Sequence, residues 1–390
     1  MIDSTGQKFY MWQNGMCITY LTKFNQMEGF LIENGYIPTQ DMHEADIVIL
    51  GACASFLPYF DTYKERLSMT HPRQAVVVYG CIPIVDPKFF KATAPEIALF
   101  IPPKTPERIA EIVPNQKIAW KDIEISSVFR RADYTHYDPR KRFIVIQEGC
   151  NEKCIHCPHR VAIGKEKSYP REKIISQIKR DVLNSGTRTF VLEGENSGAW
   201  GQDLKPRLTY KDLLEDILAI TGSCDIHLSN ISPKWLLHYG EAFMHPRITN
   251  IKIPIQTVSS RLLSLMGRDP CVRQTAQLLK KMRKANNKLI LRTEIIIGYP
   301  TSTDEELIDT MEFVSEHFHK VACFSFDYHP HTEIASREIP LLPDDVVKDH
   351  IHKAMAFFSG KRNIEAVFDD RGKLCAEITG KGAYPRLAVK

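Results

Sequence analysis

Short apolar runs alternate with segments of helical spacing along the first third of this 390-residue chain. Runs of four or five apolar residues bounded by glycine or proline predict buried strands. Phe24, Met27, Phe30 and Leu31 recur at helical spacing and predict a helix from Thr19 to Asn34. The pattern predicts a small parallel α/β domain over residues 1–135. Its predicted strands are Phe9–Trp12, Ile47–Leu50, Ala75–Tyr79 and Ile97–Ile101.

From Arg142 onward the pattern becomes a regular alternation of strand and helix. Such alternation is typical of a parallel α/β barrel, and six strands predict an open (β/α)6 partial TIM barrel over residues 136–358. Residues 359–390 are then a short C-terminal tail, predicted as a β-hairpin. The predicted barrel strands are Phe143–Gln147, Thr189–Leu192, Asp225–Leu228, Ile251–Ile255, Leu289–Ile297 and Ala322–Tyr328.

Composition places the chain among ordinary globular proteins, with 43% hydrophobic and 25% charged residues. No apolar run reaches the length of a membrane span, and no signal peptide opens the chain, so we expect a cytoplasmic protein with no membrane partner. Ten cysteines in that setting favour metal or redox chemistry over disulfides. The net charge of +4 permits a nucleic-acid partner without arguing for one.

The most informative stretch holds three cysteines within eight residues, Cys150, Cys154 and Cys157, directly after the first barrel strand. Gly149 predicts a turn, so the thiols lie on a loop at the carboxyl end of a strand, where parallel folds place active sites. Three thiolates suit a four-iron cluster with one iron left open. Zinc, with His156 or His159 as a fourth ligand, is the less favoured alternative because structural zinc closes its shell.

A second set of cysteines, Cys17, Cys53 and Cys81, shares one context, because each follows a predicted strand of the first domain. The carboxyl ends of parallel strands lie along one edge of a sheet, so the three thiols can converge there. Convergence predicts a second iron–sulfur cluster with an open iron. The alternative is three inert cysteines buried as small apolar residues.

The Cys150-x3-Cys154-x2-Cys157 spacing resembles the signature of radical S-adenosylmethionine (SAM) enzymes. Together with Cys17, Cys53 and Cys81, it resembles the methylthiotransferases of that superfamily. Further family-like segments lie at 192–203, 254–257 and 293–300. The segment 164–168 resembles a family motif that is flanked by arginines, but Ile163 and Tyr169 stand at those two positions.

The resemblance implies two [4Fe-4S] clusters and two uses of SAM. One SAM donates a methyl group to sulfur at the cluster of Cys17, Cys53 and Cys81. The other binds the open iron of the second cluster and yields a 5′-deoxyadenosyl radical, which takes hydrogen from an unactivated carbon. All six cysteines are then both metal ligands and catalytic groups. A flavodoxin or ferredoxin is implied as electron donor.

Polar residues at or near the ends of barrel strands are expected to contact SAM. A carboxylate after the second strand can accept the SAM ammonium, and glycine there lets the backbone approach closely. Satisfied hydrogen bonds inside the barrel are the alternative role for each of them. The expected set is Gly194, Glu195, Asn196, Ser229, Gln256, Arg292 and Glu294.

The tail bears on the substrate. Members of the family that act on tRNA or a ribosomal protein carry a longer C-terminal barrel, whereas here Ile364–Phe368 and Leu374–Ile378 predict only a hairpin. We therefore expect methylthiolation of a peptide or protein residue, with a ribosomally made precursor peptide as one form. A tRNA adenosine beside the anticodon is the alternative, tRNA being the less favoured partner. A non-catalytic iron–sulfur protein is a distant third.

Overall fold

The computed structural model describes residues 6–55, 58–93, 97–129, 138–184 and 186–369. The chain divides into two units, and the division is discontinuous in sequence. The first unit comprises Met1–Asp138 together with Cys157–Lys165. The second comprises Pro139–His156 together with Glu166–Lys390.

A five-stranded parallel sheet forms the centre of the first unit, with strand order β2-β1-β3-β4-β5. The apolar runs are strands because both faces of this sheet are covered, and β3 is buried along its whole length. The strands are β1 (Lys8–Asn14), β2 (Ile37–Pro38), β3 (Ile47–Ala52), β4 (Ala75–Gly80) and β5 (Ile97–Ile101).

Helix α1 (Ile18–Glu33) buries the predicted apolar face, and Phe24, Met27 and Phe30 are fully buried. It ends at Asn34, whose side chain donates a hydrogen bond to the Phe30 carbonyl and so pairs one of the last helix carbonyls. A 3-10 helix, Pro106–Ile112, follows the last strand of the sheet. The other helices of the unit are α2 (Pro58–Ser68), α3 (Ile82–Val85), α4 (Pro87–Thr93) and α5 (Pro158–Ile163).

The second unit is built on a seven-stranded parallel sheet in the order β14-β13-β12-β11-β10-β9-β6. Two very short strands, β7 (Gln147–Glu148) and β8 (Lys167–Ser168), pair antiparallel beside it. The strands of the large sheet are β6 (Lys141–Val145), β9 (Thr189–Glu193), β10 (Asp225–Leu228), β11 (Ile248–Gln256), β12 (Ile290–Ile297), β13 (Lys320–Ser325) and β14 (Glu365–Phe368).

Helices connect successive strands of this sheet. Two of them begin with capping boxes, in which Thr209 pairs with Asp212 and Thr303 with Glu306. A 3-10 turn, Val272–Thr275, leads directly into the α-helix that begins at Ala276. The helices are α6 (Arg171–Val182), α7 (Tyr210–Ile220), α8 (Pro233–Tyr239), α9 (Ser260–Met266), α10 (Ala276–Ala285), α11 (Asp304–His317) and α12 (Asp344–Ser359).

The predicted fold class is confirmed, and all six predicted barrel strands are present. The seventh strand, β14, was not expected in this sheet. It pairs parallel with β13, from Lys320 opposite Glu365 to Cys323 opposite Phe368. The second arm of the predicted hairpin, 374–378, lies outside the described residues. No helix in the described part of the chain is long and apolar enough to cross a membrane.

Candidate active site

The thiols of the first unit follow three neighbouring strands. In the sheet, Asn14 of β1 lies opposite Ala52 of β3, and Ala52 lies opposite Gly80 of β4. All three strands therefore end at the same level. Cys17, Cys53 and Cys81 follow these ends, so the structure brings the three loops to one edge of the sheet, as the sequence predicts.

Two glycines allow these loops to approach one another. A methyl group on Gly80 would lie 2.4 Å from the Ala52 carbonyl oxygen, and Gly80 has φ +131°, which other residues rarely adopt. A methyl group on Gly51 would lie 2.3 Å from the sulfur of Met16, the residue before Cys17. The close packing beside these cysteines thus depends on two positions without side chains.

Cys53 is buried and held by its neighbours. Its backbone N–H donates to the Tyr63 hydroxyl at 2.8 Å, and that hydroxyl donates to the Asn14 carbonyl at 2.6 Å. The N–H of Ser55 donates to the Cys53 sulfur at 3.4 Å, and Ser55 Oγ lies 3.3 Å from the same sulfur. Burial raises the pKa of the Cys53 thiol, but hydrogen bonds from His159 and Ser55 outweigh it and leave the pKa below its ordinary value.

Cys157 belongs to the same unit as Cys53 and precedes helix α5. The pKa of its thiol is affected by hydrogen bonding with the His159 ring and with the backbone N–H groups of Arg160 and His159. Burial raises the pKa of the Cys157 thiol, and these bonds lower it below the usual value. Burial lowers the pKa of His159, but its bonds to Cys157 and Cys53 hold that pKa well above the ordinary one.

Cys150 and Cys154 lie in the second unit, after the turn at Gly149 (φ +74°). The N–H of Glu152 donates to the Cys150 sulfur at 3.4 Å. Arg268 donates to the Cys154 sulfur at 3.4 Å and to the Pro254 carbonyl at 2.8 Å, so a cation is fixed beside a buried thiol.

The loop that carries Cys154 is anchored on α9. The Ile155 N–H donates to the Met266 carbonyl at 3.0 Å. Gly267, with φ +76°, follows that helix, and a methyl group there would lie 2.3 Å from the Lys153 carbonyl oxygen. His156 packs edge-on against Tyr299, 5.3 Å between ring centres, and burial with the nearby charges of Arg268 and His329 lowers its pKa to about 3.

No group of three His, Cys, Asp or Glu side chains within the described ranges is placed to hold a single metal ion. A single zinc ion draws its ligand sulfurs together at about 2.3 Å from one centre. A four-iron cluster instead bonds each thiolate to a different iron and needs the sulfurs further apart. The donor chemistry of both cysteine sets, three thiolates each, fits such a cluster.

Gln147 ties together two strand ends of the second unit. It is fully buried, and its Oε1 accepts the Asn196 N–H at 3.1 Å while its Nε2 donates to the carbonyls of Glu148 and Gly149. A methyl group on Gly194 would lie 2.8 Å from Gln147 Oε1, so glycine is needed for this approach. Asn230 also donates to the Gly194 carbonyl at 2.8 Å.

Three other expected SAM contacts surround the same end of the sheet. Glu195 Oε2 accepts the Gly149 N–H at 3.0 Å, which fixes the carboxylate beside the cysteine loop. Ser229 follows β10, and its N–H donates to the Leu192 carbonyl at 3.1 Å. Gln256 ends β11 with φ +66°, and its Oε1 is buried without a hydrogen-bond partner among the described residues. A buried acceptor of that kind fits a bound ligand that carries donors.

Arg292 and Glu294 require a correction, because they lie inside β12 rather than near its end. The Glu294 carboxylate is 2.5 Å from Lys252 Nζ on β11, so a lysine already occupies it. Glu193, the last residue of β9, is buried close to this pair. Burial raises the pKa of Glu193 to about 7, although Lys252, Ser229 and Arg292 oppose that shift.

Several residues that shape the site have little or no signal in the sequence. Gln147 directly follows an apolar run. Its position between a predicted strand and the glycine turn could have indicated that it lies at the site. Arg268 and Lys252 lack a local signal, because each acts on a residue far away in sequence. The contact between Ser55 and His159 likewise joins segments 104 residues apart.

Residues 144–314 match the Radical SAM superfamily. A tRNA-2-methylthio-N(6)-dimethylallyladenosine synthase from Aquifex aeolicus (strain VF5) is 25% identical over 367 residues, covering 90% of this chain and 82% of the relative. The ribosomal protein uS12 methylthiotransferase RimO from Prosthecochloris aestuarii (strain DSM 271 / SK 413) is 27% identical over 369 residues, with the same coverage of 90% and 82%.

The chain contains a Radical SAM superfamily domain, and relatives that align along 90% of its length are named for methylthiolation. The predicted family, enzyme class and use of SAM with [4Fe-4S] chemistry are thereby confirmed. The radical S-adenosylmethionine methyltransferase TsrM from Kitasatospora setae superimposes with a TM-score of 0.59, covering 85% of this chain and 77% of TsrM. At 13% identity this likeness concerns the fold alone.

Proposed function

We propose that this radical SAM methylthiotransferase modifies an adenosine of tRNA beside the anticodon. The observation that carries the proposal is the similarity along 90% of the chain to a relative named for 2-methylthio-adenosine synthesis in tRNA. This reverses the order of candidate substrates expected from the C-terminal tail, which favoured a peptide or protein over tRNA. A ribosomally made precursor peptide has no support among the relatives described above.

A residue of a folded protein is the second candidate. The relative named as a uS12 methylthiotransferase matches the chain with the same coverage and similar identity, 27% against 25%. Because both relatives align equally far along the chain, similarity alone supports the methylthio reaction more strongly than either substrate.

Each of the two cysteine sets holds one iron–sulfur cluster in this proposal. In this proposal Cys150, Cys154 and Cys157 hold the cluster that binds SAM, while the second cluster takes its ligands from the first unit. When bound, the clusters and SAM supply the one-electron and sulfur chemistry that replaces a carbon-bound hydrogen by a methylthio group. The ligands of the second cluster in this proposal are Cys17, Cys53 and Cys81.

The protein's own part is to fix charges and hydrogen bonds around these groups. The Arg268 guanidinium beside Cys154 favours the thiolate form that an iron ligand needs. Gly149 holds the Glu195 carboxylate, which offers an acceptor for the SAM ammonium. Gln256 offers its unpartnered carbonyl oxygen.

Gly194, Asn196 and Ser229 complete the proposed SAM site at the strand ends. Arg292 and Glu294 lie inside β12 and are not part of this proposed site, and Glu294 holds Lys252. A one-electron donor of the flavodoxin or ferredoxin class is part of the proposal, because the reaction consumes electrons.

The test uses anaerobically reconstituted protein with SAM and dithionite. It is offered tRNA from a host that lacks methylthioadenosine and, separately, the ribosomal protein uS12, and mass spectrometry detects a methylthio gain. We expect the gain on a tRNA adenosine, loss of the gain in Cys154→Ala and Cys81→Ala, and its retention in Cys224→Ala, a half-buried cysteine outside both sets.

Modification of uS12 alone would show that the substrate is a protein residue, the second candidate. If the wild-type protein bound about four irons rather than about eight, it would hold only one four-iron cluster. Loss of that cluster would contradict the methylthio reaction itself.

A further inference from the structure

Positive charge is concentrated in one segment of the second unit. Residues 271–293 contain four lysines, three arginines and neither aspartate nor glutamate, whereas the whole chain has a net charge of only +4. The remaining residues are therefore negative in sum. Cations gathered in one stretch, without acids between them, are typical of a surface that binds a polyanion.

Helix α10 presents this charge to solvent. Its buried side holds Leu279 and Met282, which pack in the core of the unit. Lysine and amide side chains, which proteins use to contact the phosphates and sugars of nucleic acids, make up most of its exposed side. The exposed positions of α10 are Gln277, Lys280, Lys281, Lys284 and Ala285.

An acidic helix neutralises one edge of α10. The neighbouring α11 has six carboxylates and neither lysine nor arginine. Asp309 of α11 lies 2.8 Å from Arg273, and Glu316 lies 2.7 Å from Lys280. Arg283 is also engaged, because it donates to the Glu316 carbonyl at 2.8 Å. The cations on this edge are thus already paired within the protein.

The lysines on the other side of α10 lack such partners. Within the described part of the chain, Lys281, Lys284 and Lys288 form no ion pair. Lys281 and Lys284 are three residues apart and so lie on one face of the helix. Lys288 follows in a turn fixed by the buried Asn286, which donates to the Ile248 carbonyl at 2.9 Å and accepts the Lys288 N–H at 3.1 Å.

These lysines extend away from the proposed SAM site. Gln256 ends β11 at the carboxyl edge of the sheet, whereas Lys288 precedes β12 at the amino edge, so α10 returns the chain from one edge to the other. Its ten residues span about 15 Å. A long polyanion that reaches the site can contact lysines at this distance, whereas a small ligand bound at the strand ends cannot.

We propose that Lys281, Lys284 and Lys288 form a docking surface, the basic stripe, for the phosphate backbone of tRNA on the outside of the second unit. Phosphate contacts position a nucleic acid without reading its bases, so the basic stripe contributes affinity rather than sequence preference. The inference rests on the proposed function for the identity of the RNA. It deepens that proposal by locating a contact remote from the reacting adenosine.

The test measures binding of unmodified tRNA to the reconstituted full-length protein by fluorescence anisotropy at several KCl concentrations. One variant removes the charge of the basic stripe and combines Lys281→Gln, Lys284→Gln and Lys288→Gln. A second variant keeps that charge and combines Lys281→Arg, Lys284→Arg and Lys288→Arg.

The matched control removes the same amount of charge elsewhere in the second unit. Helices α6 and α7 carry exposed lysines among carboxylates, so their lysines are not part of a purely basic surface. The control variant combines Lys173→Gln, Lys179→Gln and Lys211→Gln.

We expect the glutamine variant of the basic stripe to bind tRNA more weakly, on the order of tenfold at about 0.1 M salt. The plot of log K against log salt concentration should become shallower by about 2 to 3, since each phosphate contact contributes about one. With dithionite as reductant, KM for tRNA should rise while kcat and iron content stay unchanged. The arginine variant and the matched control should behave as wild type.

Wild-type affinity and salt dependence in the glutamine variant would overturn the proposal. Equal weakening in the matched control would also overturn it, because net charge alone would then explain the effect. Unchanged tRNA binding with slower reduction by a flavodoxin would instead assign the surface to the electron donor. If the glutamine variant fails to load iron, the single charge reversal Lys284→Glu decides, and wild-type affinity there refutes the inference.

Failure of the proposed function is recognised separately. If wild-type protein shows salt-dependent tRNA binding that the glutamine variant lacks, yet methylthiolates only uS12, the basic stripe stands and the proposed substrate is wrong. If wild-type protein methylthiolates tRNA and the glutamine variant binds tRNA equally well, the proposed function stands and the basic stripe is refuted.

Discussion

Replacement of Gly80 by alanine places a methyl group where the end of β3 already lies. The added carbon would be 2.4 Å from the Ala52 carbonyl oxygen and 3.1 Å from its carbonyl carbon, both of them backbone atoms. Neither can move away as a flexible side chain would. The residue also has φ +131°, a conformation that alanine rarely adopts. Cys81 comes next in the chain, so any shift of β4 moves a predicted cluster ligand.

The cost follows from these two effects. A non-glycine residue in such a backbone region costs about 1–3 kcal/mol. Forcing a methyl group into packed backbone costs about 1–3 kcal/mol more. The sum, roughly 2–6 kcal/mol, is a large part of the stability of a unit of this size. Gly222→Ala is the matched control, because Gly222 has φ +55° and no atom within 4 Å of the added carbon.

Calorimetry of the cluster-free protein and iron analysis after reconstitution measure the outcome. We expect Gly80→Ala to lower the melting temperature of the first unit by roughly 10 °C, given the usual ratio of stability to melting temperature. Bound iron should fall from about eight per chain to about four, because the set with Cys81 is displaced. The reasoning would be refuted if Gly80→Ala kept both the melting temperature and the iron content of Gly222→Ala.

Substitutions at three further residues test the second unit. Gln147→Ala leaves several buried backbone groups unpaired and should cost roughly 2–4 kcal/mol of unfolding free energy, with weaker SAM binding by calorimetry. Gln147→Glu should not restore either, because its carboxylate cannot donate to the Glu148 and Gly149 carbonyls. Burial raises the pKa of Glu193 to about 7 in the folded state, so the contribution of this group to the free energy of unfolding falls as pH rises from about 4.5 to 7. Urea titrations at pH 5 and 8 should show a fall of roughly 3 kcal/mol in the wild-type protein that Glu193→Gln lacks. The same fall in both proteins would contradict this prediction. Arg268→Met should retain iron but lower the reduction potential of the Cys154 cluster, and an unchanged potential would show that the 3.4 Å contact is inert.

Strands and the long helices followed from periodicity because burial on a parallel sheet leaves a local pattern. Helix α1 was predicted from Thr19 to Asn34 and runs from Ile18 to Glu33. The short helices α3 and α5 were not predicted. Each spans only four or six residues after a cysteine, too few to show a helical period.

Contacts between segments that are distant along the chain could not be predicted from the sequence. The pair Lys252–Glu294 depends on the register of β11 against β12, which shifts between Ile253 and Gln256. Glu294 therefore looked like a free carboxylate near a strand end. The position of β14 beside β13 depends in the same way on a long-range pairing. Convergence of Cys17, Cys53 and Cys81 could be predicted because strand order in a parallel sheet places consecutive loops at one edge.

The discontinuity of the first unit has a consequence for biosynthesis. The ribosome delivers residues 1–138 first, yet the unit also includes Cys157–Lys165, which arrives only after the opening strand of the second unit. Folding of the first unit cannot be completed until that segment has left the exit tunnel. A gene fragment that stops at Asp138 would therefore yield a unit without helix α5, and a nick at that point would not separate two self-sufficient proteins.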